Sequence, residues 1–460
     1  MLNTILTALC FLLILCVIVV VHEGGHALVA RLVGMRVTEF YVGMPYGPEK
    51  SFVSRRSGIR YGATLALLGG YTRICGMAYA KDGRLALALA LINARGRLTA
   101  DELALVLACE DVTEAQVLID ALVDLGSIEP VYEKGRRRTR KEKPVAYETV
   151  ERDERGLTAR DRGNSLAAHV AHEAGLPFDP GMSPEDFLAS ELSHTYAGKT
   201  FVRRVLVLVA GVAFNLLFAF IVLTGCYTTM YEQHLALAVS DVSAGSPAAE
   251  AGMAQGDEIR AVNGTPIAEL DGVQAVSDLL ASGDELTVDY VEAGEGGDGA
   301  GDVKRVHLSR DGDGKLGLSL QVFLENGDTH LSVAESMQAS ISYIGSVATA
   351  VLGLLNPSEA PQVISQSSGV VGIAQMTSQA VSTGLFDIIV LLAALSVSLG
   401  WMNLLPIPPL DGGKLVIEVV EKVIGREVPL WIQGVISLLG IAAVLALFFF
   451  MVFQDVGRLM

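Results

Sequence analysis

Four stretches of the chain lack the polar alternation of a surface element. Residues 2–21 hold no charged side chain, and residues 204–226, 386–410 and 430–453 are apolar over a similar length. About 20 apolar residues carry a helix across the hydrocarbon core of a bilayer, so four transmembrane helices are predicted. A cleaved signal peptide would carry a basic leader, and no Lys or Arg precedes Arg31. Between these blocks the period changes. Residues 84–94 are Leu/Ala-rich and predict a helix. Thr99 with Glu102, and Thr113 with Gln116, predict two capped helix starts. Leu103, Val106 and Leu107 share one face, as do Leu118, Ile119, Leu122 and Leu125. Gly126 suits a helix C′ position. Strands are expected at 128–132 and 145–150. Residues 235–325 alternate short strands with Gly-rich turns, among them Asn263-Gly264.

Composition narrows the class. Apolar residues make up 51% of the 460, mean hydropathy is +0.44 and only 18% are charged, against about 25% in a soluble domain. Disordered and collagen-like chains are excluded. The net charge of −17 argues against whole-surface nucleic-acid binding. The five cysteines are scattered and form no CxxC, so neither a disulfide framework nor a cysteine zinc site is expected. Charge also orients the spans. Residues 31–60 carry six basic and two acidic side chains, and Arg203 and Arg204 open the second span. The positive-inside rule makes that side cytoplasmic. Residues 231–335 hold 20 acidic and 5 basic side chains and are expected outside. The first and third spans then both end at the cytoplasmic face.

Those two ends carry the candidate chemistry. The first reads His22-Glu23-Gly24-Gly25-His26. Residues i and i+4 share a helix face, so both imidazoles can reach one metal ion, with Glu23 placed to activate water. Ionisable groups inside a span are costly and mark function. A catalytic zinc takes three protein ligands and keeps one open position. The third span ends in Asn403-Leu404-Leu405-Pro406-Ile407-Pro408-Pro409-Leu410-Asp411-Gly412-Gly413, and Asp411 is the only acid between Asp387 and Glu418. Its three prolines and two glycines predict broken backbone, tolerated at membrane depth where it is buried in protein or lines a wet cavity.

HEGGH together with NLLPIPPLDGG resembles the site-2 protease family, intramembrane zinc metalloproteases of regulated proteolysis in bacteria. Gly69-Gly70-Tyr71 with Gly76-Met77, Phe201-Val202-Arg203-Arg204 leading to Asn215, and Ser368-Gly369-Val370-Val371-Gly372-Ile373 resemble further family segments. Val212 and Val370 stand where the family commonly has proline. The resemblance covers about 1–78 and 197–460. It implies Zn2+ held by His22, His26 and Asp411, Glu23 as general base, and Asn403 and Asn215 as substrate-positioning residues. It also implies substrates that are single-pass membrane proteins, anti-sigma factors or remnant signal peptides, trimmed first by a site-1 protease.

The expected fold is a polytopic α-helical membrane protein with four transmembrane helices, an extracytoplasmic PDZ-like α+β domain and a cytoplasmic insert. Its parts are a first helix within 1–35, a membrane-associated β-hairpin loop at 36–79, the insert at 80–196, a second helix within 197–230 and the PDZ-like domain at 235–325. A membrane-associated connecting region at 336–380 follows, then a third helix within 385–413 and a fourth within 428–454. Three helices and a hairpin make residues 84–150 resemble a winged-helix domain. Its basic run, 134–143, holds seven Lys or Arg and one acid, while 99–124 carry seven acids and no Lys or Arg. Docking on lipid headgroups or on protein is therefore favoured over nucleic acid. His169, His172 and His194 are expected as surface histidines. The rival reading is a non-catalytic scaffold built from PDZ and winged-helix modules. A transporter would show inverted repeats, and the sequence has none.

Overall fold

A computed structural model of the chain describes every residue except 1, 45–47, 66–68, 78, 80, 133–142, 167, 271–272, 294–301, 312–314 and 460. Two compact units emerge, residues 1–223 with 341–460, and residues 224–340.

The first unit opens with α1 (Leu2–Leu32), 31 residues without a break. The next segment makes β1 (Val37–Val42), β2 (Glu49–Val53), β3 (Arg60–Thr64) and β4 (Gly70–Ile74). Where a hairpin was expected, a four-stranded sheet forms in the order β2-β3-β1-β4. β2 and β3 are the hairpin, but β3 also pairs in parallel with β1, and β4 returns antiparallel to β1. Gly62 permits the parallel pairing, because a Cβ there would lie 2.3 Å from the Tyr41 ring. Edge strand β4 lies along α1, and Thr72 Oγ1 donates to the Glu23 carbonyl at 3.0 Å.

The insert folds as α2 (Leu85–Arg95), β5 (Arg97–Leu98), α3 (Ala100–Val106), α4 (Val112–Asp124), β6 (Ile128–Val131) and β7 (Ala146–Thr149), with sheet order β5-β7-β6. Thr99 and Glu102 form the expected capping box. The second cap is corrected: Asp111, not Thr113, accepts from Glu114 N and starts α4. Aspartate is the stronger cap, and its carboxylate reaches the N3 amide. Gly126 ends α4 at φ +70°. Leu85, Leu89, Ile92, Leu103, Leu118, Ile119, Leu122 and Tyr147 form one core. Most of the basic run, 134–142, lies outside the described residues.

Residues 150–196, including α5 (Pro184–Ser193), bind this domain to the end of α1 through a buried ionic cluster. Arg36 donates to Asp161 at 2.7 and 2.9 Å and to Glu191 at 2.7 and 3.1 Å. Arg152 adds two bonds to Glu191. Burial alone would raise the Glu191 carboxyl, yet Arg36 and Arg152 hold it well below the usual carboxylate range. Removing one partner of such a cluster strands a buried charge, at about 3–5 kcal/mol. His169 is exposed, His172 packs edge-on against Phe178, and His194 stands 3.4 Å from Asp161. α6 (Phe201–Tyr227) follows.

Residues 224–340 form their own unit, which takes in the last turn of α6. Its elements are β8 (Tyr231–Val242), α7 (Pro247–Glu250), β9 (Glu258–Val262), β10 (Thr265–Pro266), α8 (Val273–Leu280), β11 (Glu285–Val291), β12 (Lys304–Ser309) and β13 (Leu318–His330). The strands run β12-β11-β9-β8-β13, all antiparallel, with β10 on β9. Asn263 and Gly264, at φ +52° and +78°, make the β9–β10 turn, with both central residues left-handed as a type I′ turn requires. Leu237, Val239, Ile259, Val262, Leu286 and Val288 fill the core.

The chain then makes α9 (Val333–Gly353), α10 (Ala360–Gln366), α11 (Val370–Thr383), α12 (Leu385–Asn403), α13 (Asp411–Ile424) and α14 (Leu430–Leu459). Among the described residues, four helices are long and apolar enough to cross a membrane: Thr4–Leu32, Phe201–Tyr227, Leu385–Asn403 and Trp431–Arg458. In the first unit, α11 packs on α1, α12 and α14. Asp455 of α14 caps α11 by accepting from Gly369 N at 3.2 Å and Gly372 N at 2.8 Å. The third span is shorter than 386–410, because α12 stops at Asn403 and the proline segment runs to Asp411.

Candidate metal centre

His22 and His26 lie one turn apart near the end of α1, and both are buried. Gly25, between them, allows α6 to close on α1. A Cβ there would sit 2.8 Å from the Ala210 carbonyl and 3.0 Å from the Phe214 ring. Gly24 has open space instead, so only one of the two glycines serves helix contact. On the facing side of α6, a Cβ on Gly211 would stand 2.3 Å from His26 Nε2 and 2.7 Å from His22 Cε1. The imidazoles occupy the volume that a side chain would take.

Asp411 reaches the same point from the other end of the sequence. Gly412 and Gly413 pack against the backbone of Leu404, Leu405 and Pro408, with no room for side chains. This folds the proline segment tightly and makes Asp411 the first residue of α13, where the helix dipole favours a carboxylate. Lys414 Nζ lies 3.6 Å from Oδ1. Further along α13, Tyr196 donates to Glu418 at 2.8 Å, and Arg204 stands 3.3 Å from it. These contacts fix the helix that carries Asp411.

The three side chains converge. His22 Nε2 is 3.1 Å and His26 Nε2 3.0 Å from Asp411 Oδ2, and the two nitrogens are 3.3 Å apart. His26 Nδ1 donates to the Val207 carbonyl at 2.7 Å. That bond puts the proton on Nδ1 and leaves Nε2 as a lone-pair donor. With His22 Nε2 also unprotonated, three such donors at contact repel one another unless a cation lies between them. Zinc bonds of ~2.0–2.1 Å in tetrahedral geometry give donor separations of ~3.3 Å, close to those observed. Two imidazoles and one carboxylate form one face of a tetrahedron and leave the fourth position open. The residues present therefore fit zinc.

Glu23 is half-buried beside His22. Asn215 is fully buried, and its amide Nδ2 lies 3.4 Å from His22 Nδ1. Asn403 ends α12 half-buried and, among the described residues, hydrogen-bonds none of the three ligand candidates. His169, His172 and His194 join no metal-type cluster among the described residues. Sequence reasoning missed the Val207 carbonyl and Gly211. Positions 207, 211 and 215 follow i, i+4, i+8 spacing on α6, which is the signal that connects them.

Fold and site together define a multi-pass membrane protein with a His/His/Asp cluster of the kind that can hold a metal ion. The model of peptidase family M50 matches residues 10–447. The zinc metalloprotease RasP of Shouchella clausii (strain KSM-K16) is 30% identical, over 98% of this chain and 99% of its own length. A putative zinc metalloprotease of Lactococcus lactis subsp. lactis is 27% identical, over 100% and 99%. The regulator of sigma-W protease RasP of Bacillus subtilis (strain 168) is 24% identical, over 98% and 99%. The chain belongs to peptidase family M50 and is a zinc metalloprotease, as its resemblance to site-2 proteases implied.

Gly211→Ala puts a methyl group into the space of both imidazoles. Zinc content of the purified variant, read by elemental analysis, is expected to fall at least tenfold, whereas Gly24→Ala retains full occupancy. Full occupancy in Gly211→Ala would contradict the packing described.

Proposed function

We propose that the protein is an intramembrane endopeptidase that cuts single-pass membrane proteins within or near their spans. The observation that carries this is the convergence of His22 and His26, on an apolar helix long enough to cross a membrane, with Asp411 at 3.0–3.3 Å, with Glu23 adjacent. Zinc held by these residues supplies Lewis acidity toward water and the scissile carbonyl. Glu23 takes a proton from the attacking water and delivers it to the leaving amide nitrogen. Asn403 holds the substrate main chain near this point. A helical substrate must unwind first, because its amides are closed in internal hydrogen bonds. Edge strand β4, anchored by Thr72 to the carbonyl of Glu23, supports strand addition as the means of holding the extended segment.

The site lies toward the cytoplasmic face, by the positive-inside argument. The Bacillus subtilis relative is named a regulator of sigma-W, which supports anti-sigma factors as the substrate class. Remnant signal peptides are the alternative, with a site-1 protease acting first. The antiparallel unit with its Asn263-Gly264 turn supports an extracytoplasmic PDZ-like domain that filters out substrates with bulky outer domains. The order α2-β5-α3-α4-β6-β7 supports a winged-helix reading of the insert, docked on anionic lipid through its basic run. The intact trio and Glu23 argue against a scaffold.

Glu23→Gln keeps the shape and loses the base. In detergent with a model transmembrane substrate, cleavage should drop by at least about 10²-fold while bound zinc stays stoichiometric. Near-normal turnover would remove Glu23 from its role. Replacing 235–325 by a short Gly/Ser linker should leave cleavage of trimmed substrates intact and add cleavage of untrimmed ones. Loss of all cleavage by the folded deletion protein would favour peptide docking over filtering.

A further inference from the structure

We infer that Asn215 is a positioning residue for His22 and acts on the metal ligand instead of the substrate. The inference rests on His22, His26 and Asp411 being the ligand set. A ligating Nε2 carries no proton, so Nδ1 must carry it and needs an acceptor. His26 shows the arrangement complete, with Nδ1–H donating to Val207 O at 2.7 Å. Among the described residues, His22 Nδ1 has one polar neighbour of this kind, the Asn215 amide at 3.4 Å. Asn215 is 0% exposed, and its Oδ1 has no hydrogen-bond partner among the described residues. A half-turn of the amide exchanges its two ends and brings Oδ1 to Nδ1. The orphaned acceptor then meets the proton that metal ligation leaves on His22.

The helix geometry makes this one device. α1 and α6 pass with His26 beside Val207 and His22 beside Asn215. Gly211, halfway between, leaves room for both rings. One face of α6 thus orients both histidines, one through a backbone carbonyl and one through a side chain. Ser396 Oγ of α12 donates to the Asn215 carbonyl at 3.1 Å, which ties this part of α6 to the helix leading to Asp411. A side-chain amide that is fully buried against α1 is not placed to follow a moving substrate.

The test uses the full-length protein in detergent, with zinc affinity measured by chelator competition and steady-state kinetics at saturating zinc. Asn215→Ala should weaken zinc binding by about 10–100-fold and leave KM unchanged once zinc is saturating. Asn215→Asp, which keeps an acceptor, should stay within a few-fold of wild type. Asn215→Leu fills the volume without an acceptor and should match Ala. If Ala fails to fold, the Asp and Leu pair decides. Unchanged zinc affinity with a raised KM would overturn the inference in favour of substrate contact. Equal weakening by Asp and Leu would overturn it in favour of packing. His22→Ala separates the two levels, because full zinc affinity there would sink the ligand set itself.

Discussion

The structure depends on bringing two imidazoles of α1 and one carboxylate at the start of α13 within 3.3 Å of one another. With both Nε2 atoms unprotonated that arrangement is repulsive unless a cation lies between the donors, and it has the shape of a metal site. Each feature nearby serves the approach. Gly25 and Gly211 remove side chains where α1 and α6 meet. The proline segment and Gly412-Gly413 turn the chain so that Asp411 opens α13. The Val207 carbonyl fixes one imidazole, and Asn215 faces the other.

Much of this was legible because it is local. HEGGH places two candidate ligands on one helix face by spacing alone, and Asp411 stands out as the lone acid in its stretch. The expected spans fall on α1, α6, α12 and α14. What stayed hidden is non-local or belongs to the backbone. Val207 contributes a carbonyl that any residue would have, and Gly211 is one glycine among 48 until α6 is packed on α1. The parallel pairing of β1 with β3 joins strands separated by β2, so a hairpin was the simpler expectation. The choice of Asp111 over Thr113 rests on cap geometry that spacing does not show.

The insert is tied to the catalytic unit by buried chemistry. Arg36 follows α1 closely and is held by Asp161 and Glu191, over 100 residues away. The main chain repeats the tie, with Arg36 N donating to His194 O and Cys75 N to Arg36 O. Tyr196, just past α5, reaches Glu418 on α13. The insert and both helices that carry the candidate ligands are thus linked through short polar contacts. Residues 224–340 form a separate unit that contributes none of the metal-ligand candidates.

The central claim is that zinc is held by two imidazoles and one carboxylate, with an open fourth position. X-ray absorption at the zinc edge of the purified full-length protein measures this directly. The expected spectrum shows N and O donors only, at ~2.0–2.2 Å, with the multiple-scattering signature of two imidazoles. A sulfur shell near ~2.3 Å, or an imidazole signature that survives His22→Ala unchanged, would contradict it.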